Sequence, residues 1–474
     1  MGGKFNRREF IQLALAGAGS SLIIPITSQA KRLKPPVPIP KRELTSEDWK
    51  SLKQTAREVY ARNRVEIDGL VFHMPSYKQY RYLFGWDSGW HAIALTRFEP
   101  ELAKKEVLAL CAMSCEDGRI PHQIGFKQAT SSANPITAIG DQMIKNMFDE
   151  NFRSWLIDPP SYMVSAEKIY NLTQDKAFVR QALPALEKCG EYLTTTRDLF
   201  GDGLPCIIHP WESGTDNTPC YDQALKLNFK TPLGALKRMN LYPHLLDRWA
   251  KLGWDIKKIA EQNVFVFEDL TVISITIRGI VSLARLNQAL GRSEKTRYWQ
   301  KKAEKMIETL FKIHWDEKAG IFFSRYDLKE PKLAKRKTLA SLLPAFTGLV
   351  PEKIARRMIE EHLFNPEEFW DTYIISFNSR DELAREKIYF EDLLLWRGHC
   401  IWCNFNWMMC ETLLEYGYSE PARELTRRFA LMILAEGFRE FYDYRNGEGK
   451  GARNFTWPAL VLDMIAQTHP EIIS

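Results

Sequence analysis

Stretches with apolar residues at helical spacing recur from Thr45 to the end of the chain, while strand-like stretches are few and short. That imbalance confines the chain to a mostly helical architecture. TSEDWKSLKQTAREVYARNR opens at 45 with hydroxyl and acidic residues where a helix start wants them. Residues 101–115 read as a helix. EDLTVISITIRGIVSLARLNQAL and SEKTRYWQKKAEKMIETLFKI read as two more, broken at Gly291. A later pair spans 390–416 and 421–435, and SRDE at 379–382 has capping-box spacing before another helix. GIFF at 320–323 is one of the few strand candidates. Trp315-Asp316 is followed by Gly320, and Tyr442-Asp443 by Gly447, each after a helical stretch. Both read as tight loops between helices. About a dozen helices in hairpins, with loops gathered at one end, make an all-α toroid the expected fold.

The chain of 474 residues carries a net charge of +6, but the charge is not evenly spread. Residues 1–42 hold eight Lys or Arg and one acid, a balance of +7, so the rest of the chain sums to about −1. A nucleic-acid binder should carry its positive charge on the folded body, and no nucleic-acid partner is expected. The first residues explain part of the asymmetry. MGGKFNRREF is followed by the apolar IQLALAGAGSSLIIPI and then TSQA, with Ser28 and Ala30 at the small cleavage positions. Arg7-Arg8, followed by Glu9, Phe10 and Ile11, resembles a twin-arginine export signal. Residues 1–30 are therefore expected to direct export to the periplasm or beyond. KRLKPPVPIPKR then suits an extended Pro-rich linker over 31–45, and 46–474 forms the folded domain. No later stretch reaches about 18 uninterrupted apolar residues, so no further membrane span is expected.

Eight cysteines are present. Cys400 and Cys403 form a CxxC inside an apolar aromatic run, with no second CxxC or matched His pair to complete a zinc site. They read as buried small apolar residues. Cys206 and Cys220 could pair, which spacing alone does not decide.

Aromatic residues crowd several helix starts and loops: YRYLFGWDSGWH at 80–91, FW at 369–370 and WRGHCIWCNFNW at 396–407. They stand beside Asp87, Arg397, Asn404 and Asn406, which an apolar core would leave unpaired at about 1–3 kcal/mol each. Aromatic faces next to hydrogen-bonding side chains are what a sugar site needs. The loop HPWESGTDNTP at 209–219 adds two carboxylates beside a Trp. Glycoside hydrolysis with inversion needs a protonated acid and an ionised base about 6.5–9.5 Å apart. Trp211 can supply the low-dielectric wall that raises an acid's pKa. From the residues alone, Glu212 and Asp216 are equal candidates: one can donate the proton while the other holds substrate hydroxyls.

YLFGWDSGWHAIAL with GRIPHQI, then HPWESGTDNTP, LWRGHCIWCNFNW and FREFYDYRNGEGKGARNFTW, follow one another as in the mannosylglycerate hydrolase-like glycosidases. These are single-domain relatives of glycoside hydrolase family 63 and of trehalases, and the chain resembles them over nearly all of 70–465. The resemblance implies an (α/α)6 barrel and an inverting enzyme acting on α-linked glucose or mannose, with no metal or organic cofactor. It implies Asp216 as general acid and Glu440 as general base, with Trp86, Asp87, Trp211, Glu212, Trp396, Arg397, Gly398 and Trp402 lining the sugar pocket. Tyr80, His122 and Asn217 join the substrate-contact candidates, His122 the weaker; His91 reads as a satisfied structural histidine.

Four positions depart from the family pattern. Leu395 and His399 flank the WRG where Tyr and Pro are common, Asp158 precedes the PP where Gln is typical, and Phe84 stands where Trp is frequent. Both carboxylates survive, so the departures bear on the leaving-group side and the choice of substrate. The expected activity is hydrolysis of a small α-glucoside or α-mannoside. A glycan-binding protein without turnover is the alternative, and a lyase is disfavoured by the lack of a basic uronate-binding cluster. Oligomeric state is not legible.

Overall fold

The computed structural model describes residues 35–126, 144–227, 231–386, 388 and 395–473. The expected export signal at 1–30 and the first residues of the linker lie outside them. Helical segments alternate along the chain between an outer and an inner position. The outer ones are α1 (Ser46–Asn63), α3 (Pro100–Ala112), α5 (Lys176–Thr195), α8 (Ser293–His314), α9 (Glu352–Met358) and α11 (Ser419–Glu436). The inner ones are α2 (Gly85–Leu95), α4 (Ser161–Thr173), α7 (Leu270–Ala289), a 3₁₀ segment over Leu339–Thr347, α10 (Cys403–Glu415) and α12 (Leu460–Thr468). Each inner segment packs on the next, and α12 packs back on α2. Among the described residues this closes a six-hairpin (α/α) ring. α6 (Pro232–Lys251) stands outside the alternation, inserted between α5 and α7.

The patterning explains the two layers. α7 is buried from Leu270 to Asn287 almost without a break, as a helix apolar on all sides must be. It is long and apolar enough to cross a bilayer, but here it is a core helix of the ring. Each fully buried Leu or Ile contributes about 1.5–3 kcal/mol. α8 buries only the stripe through Trp299, Ala303, Met306 and Leu310. Starts are set by side chains: Thr45 and Asp48 form a reciprocal capping box on α1, and Asp269 caps α7. Gly291, at φ +74, breaks the chain between α7 and α8.

Several expectations change. Of the helix read over 390–416, residues 390–394 lie outside the described residues; from 395 the chain runs as turns and a short strand, with positive φ at Trp396 and Gly398, and the helix spans Cys403–Glu415. SRDE supplies the N-cap and first three residues of a helix of only four, Arg380–Leu383, and forms no capping box. Ser379 donates instead to Asp381, and Glu382 accepts from the Lys337 N–H. The two aromatic–Asp–Gly units are hairpin turns between paired strands. The Gly320 N–H donates to Asp316 O (2.8 Å) and the Gly447 N–H to Asp443 O (2.7 Å), so the same spacing builds the same turn twice. The linker is extended but anchored: the Val37 N–H donates to Asn446 O (2.8 Å), and the Tyr373 hydroxyl donates to Val37 O (2.7 Å). All eight cysteines are free thiols, Cys206 and Cys220 included.

Short strands serve the ring's open end. β1 (Leu83–Phe84) pairs with β2 (Gln123–Ile124) just ahead of α2. β3 (Cys400–Ile401), β4 (Arg439–Asp443) and β5 (Gly449–Arg453) form a three-stranded sheet ahead of α12. The N-termini of α2, α4, α10 and α12 all follow segments at this end, and helix N-termini favour negative charge.

Candidate active site

The loop at 209–219 is built from its first acid. Glu212 is fully buried in a bidentate ion pair with Arg197 (3.0 and 2.5 Å), and it also accepts from the Ile157 N–H (3.0 Å) and the Ile208 N–H (2.6 Å). Its oxygens are thus spent on protein. It is the anchor of the loop. Above it, Pro210–Ser213 makes one 3₁₀ turn, started by His209 Nδ1 accepting from the Trp211 N–H. Gly214 ends the turn at φ +69, where a Cβ would lie 2.8 Å from the Trp86 ring. Only glycine allows the loop to lie on that indole. The Ser213 hydroxyl donates to Pro210 O and meets the Thr215 hydroxyl, which stiffens the turn.

Asp216 stands at the loop's tip, with Asn217 beside it, both partly buried. Its carbonyl is held by Arg238 and by the Tyr242 hydroxyl, each at 2.6 Å, both from the inserted α6. Its carboxyl is pushed up to about 6 by burial, which outweighs the opposing charges of His122 and Arg238. Trp211 packs edge-on to His209 and Tyr242.

Glu440 projects from β4. Tyr80 donates its hydroxyl to Oε1 (2.5 Å) and the Ala452 N–H donates to Oε2 (2.7 Å). Burial pushes its carboxyl above the ordinary glutamate range, and the two donors pull the other way. Gly451 lies against it at φ +63; a Cβ there would meet Oε2 at 2.4 Å. Tyr80 also feels the charges of Glu440, Asp216 and Asp87, so the three carboxyls lie within electrostatic reach of its hydroxyl.

The floor of that space is aromatic. Trp396 stacks on Trp402 (3.8 Å, 11°), Trp402 stacks on Phe441, and Trp457 meets Trp86, Trp396 and Trp402. The indole N–H groups of Trp86 and Trp402 are buried with no protein acceptor among the described residues. Asn378 holds the turn by donating to Trp396 O and Gly398 O, so Gly398 contributes backbone only. Asp87 lies in the first turn of α2 and does not cap it. Asp158 does, accepting from the Trp86 N–H at 2.8 Å. Asp87 is raised well above the ordinary range by burial and then by Asp158. His122 bonds Asp158 through Nδ1 (2.8 Å) and feels Asp216 and Asp87. His91 is structural as read, buried between Glu106 and Thr456.

Arg397 is buried and ion-paired with Asp222. It lines a small recess with Leu395, Trp396, His399, Cys400, Phe441, Asp443 and Lys450. The two departures around the WRG motif therefore meet in one recess beside the aromatic stack.

Sequence reading missed Trp457, Arg238, Tyr242 and Arg197. Trp457 stood within a quoted motif. Arg and Tyr four apart on a helix carry no signal of what they hold.

A family model described as the mannosylglycerate hydrolase MGH1-like glycoside hydrolase domain matches residues 80–458. The mannosylglycerate hydrolase of Thermus thermophilus is 28% identical over 413 residues, covering 82% of this chain and 95% of that protein. The glucosylglycerate hydrolase of Mycolicibacterium hassiacum is 23% identical, covering 81% and 92%. The crystal structure of a GH63 mannosylglycerate hydrolase from Thermus thermophilus, in complex with Tris and D-glycerate, superposes with a TM-score of 0.72 at 26% identity, covering 87% of this chain and 99% of that one.

Proposed function

The chain belongs to the mannosylglycerate hydrolase MGH1-like glycoside hydrolase family, and on that footing we propose that it hydrolyses an α-mannoside or α-glucoside of glycerate with inversion of the anomeric centre. The carrying observation is the pair of buried carboxyls with unlike surroundings. Asp216, at about 6, has access to the protonated form and acts as general acid on the glycosidic oxygen. Glu440 accepts two hydrogen bonds that favour its ionised form and acts as general base on water. The aromatic floor packs the apolar face of the glycone.

The recess lined by Arg397, Lys450 and His399 supports an anionic leaving group, which would share Arg397 with Asp222 and Lys450 with Glu448. The one carboxylate of the recess, Asp443, is already paired with Arg445. The related hydrolases act on mannosylglycerate and glucosylglycerate, by their names. With the export-type leader at 1–30, the proposed place of action is outside the cytoplasm, on glycosides taken from the surroundings. No observation favours binding without turnover, in which Asp216 and Glu440 would have no use.

Time-resolved proton NMR of the protein with α-mannosylglycerate and α-glucosylglycerate tests the reading. Early release of the β-anomer, lost in Asp216→Asn and in Glu440→Gln, is the expected result. First release of the α-anomer would overturn the inverting assignment, and no release from either glycoside would overturn the substrate.

A further inference from the structure

His122 is held more firmly than a surface contact requires. Its carbonyl accepts from the Gly85 N–H (3.1 Å) and its N–H donates to Leu156 O (2.9 Å), so the backbone is pinned between the start of α2 and the segment leading to α4. The ring stands edge-on to Phe84. Nδ1 meets Asp158 Oδ1 at 2.8 Å, and Asp158 is itself fixed, 1% exposed, with Oδ2 on the Trp86 N–H. Nε2, on the opposite side of the ring, has no protein partner among the described residues, and the side chain keeps 14% of its surface open.

The charged groups around this ring are mostly acids. Asp158 lies behind it, and Asp216 and Asp87 face it. Glu212 stands near Asp158 but is spent on Arg197, and Glu440 lies beyond Asp87. His209 is neutral, pushed down to about 3 by burial, and Arg238 is turned to the Asp216 carbonyl. Burial works against a charged His122, yet the surrounding carboxylates more than offset it and raise its pKa. An imidazolium has two donors. With Nδ1–H committed to Asp158, Nε2–H is the one left for the cleft. A neutral amide at position 158 could bond the ring without holding its charge.

We propose that Asp158 is a positioning residue that keeps His122 as a fixed cationic donor, aimed at a hydroxyl of the glycone. The inference rests on the sugar-cleft reading above and adds a specificity device to it. One imidazole's charge state sets how tightly the glycone is held, because a charge-assisted hydrogen bond is shorter and stronger than a neutral one. Affinity is greatest below the titration of His122 and weakens as pH rises through it.

The test has two parts. Histidine nitrogen NMR on the unliganded, ¹⁵N-labelled protein from about pH 5 to 9 follows each imidazole, with His122 assigned by its loss in His122→Gln. This part needs no substrate, so it stands or falls apart from the substrate assignment. His122 should titrate above the ordinary value of about 6.5, and lower in Asp158→Asn than in the wild type. Titration at or below the ordinary value, or no change in Asp158→Asn, would overturn the proposal. In the second part, KM and kcat are measured on a hydrolysed glycoside across pH. Asp158→Asn should raise KM roughly tenfold with kcat changed little, and the wild-type KM should climb with the His122 titration. A loss confined to kcat, or a fall in kcat and melting temperature with KM unchanged, would assign Asp158 a merely structural role.

Discussion

At the scale of single residues, Tyr80 decides how ready the base is. Its hydroxyl donates to Glu440, and a donor to a carboxylate favours the ionised form. Tyr80→Phe removes that donor, so the Glu440 pKa rises and the acidic limb of the kcat profile moves to higher pH. Loss of one charge-assisted bond, about 1.5–3 kcal/mol, lowers kcat by roughly tenfold or more. The alkaline limb belongs to Asp216. A general acid works while protonated, so activity falls as pH rises through about 6. A Tyr80→Phe profile with an unmoved acidic limb would separate Tyr80 from the base. The two carboxyls were legible from their motifs. Their environments were not, because Tyr80 and Ala452 reach Glu440 from different parts of the chain.

At the scale of elements, the acid loop is a short turn braced from below and from the side. Removing one partner of a buried ion pair costs about 3–5 kcal/mol, because the other charge is left unpaired. Glu212→Ala therefore strands Arg197 and lowers the melting temperature sharply. Gly214→Ala adds a methyl against Trp86 at a positive φ, so the loop must shift and carry Asp216 with it. Its cost in stability is of order 1–3 kcal/mol, whereas a displacement near 1 Å at the acid costs roughly 100-fold in rate. Thermal melts set beside kcat/KM check the pair: Glu212→Ala should be dominated by stability and Gly214→Ala by rate. The reverse pattern would put Glu212 in the cleft after all. Residue chemistry alone left Glu212 and Asp216 as equals, and only the family resemblance pointed to Asp216. Two acids four residues apart on a turn face different surroundings, and Arg197, Ile157 and Ile208 decide between them.

At the scale of the whole molecule, residues 37–42 form a strap anchored on the barrel. The strap lies on the β4–β5 turn and on α11, through Val37 with Asn446, and Pro40 and Arg42 with Arg427. The positive charge read in the first 42 residues thus leads into a fixed point on a body of nearly balanced charge. If the leader acts as a twin-arginine signal, replacing Arg7 and Arg8 by Lys keeps the protein in the cytoplasmic fraction, while the wild type appears outside it. Cell fractionation with an activity assay reads this, and unchanged export in the double variant would refute the assignment.

Local pattern in the sequence determined the helical class, the extents of α1, α3, α7, α8 and α11, and the break at Gly291. These depend on neighbours three or four residues away, whose periodicity survives without knowledge of the fold. Tertiary structure alone decided the six-fold closure of α12 on α2, the burial of Glu212, the grip of α6 on Asp216, and the pairing of Asp158 with His122. Those rest on groups tens to hundreds of residues apart. Whether a polar side chain serves the fold or the substrate depends on which partners burial leaves within hydrogen-bonding reach.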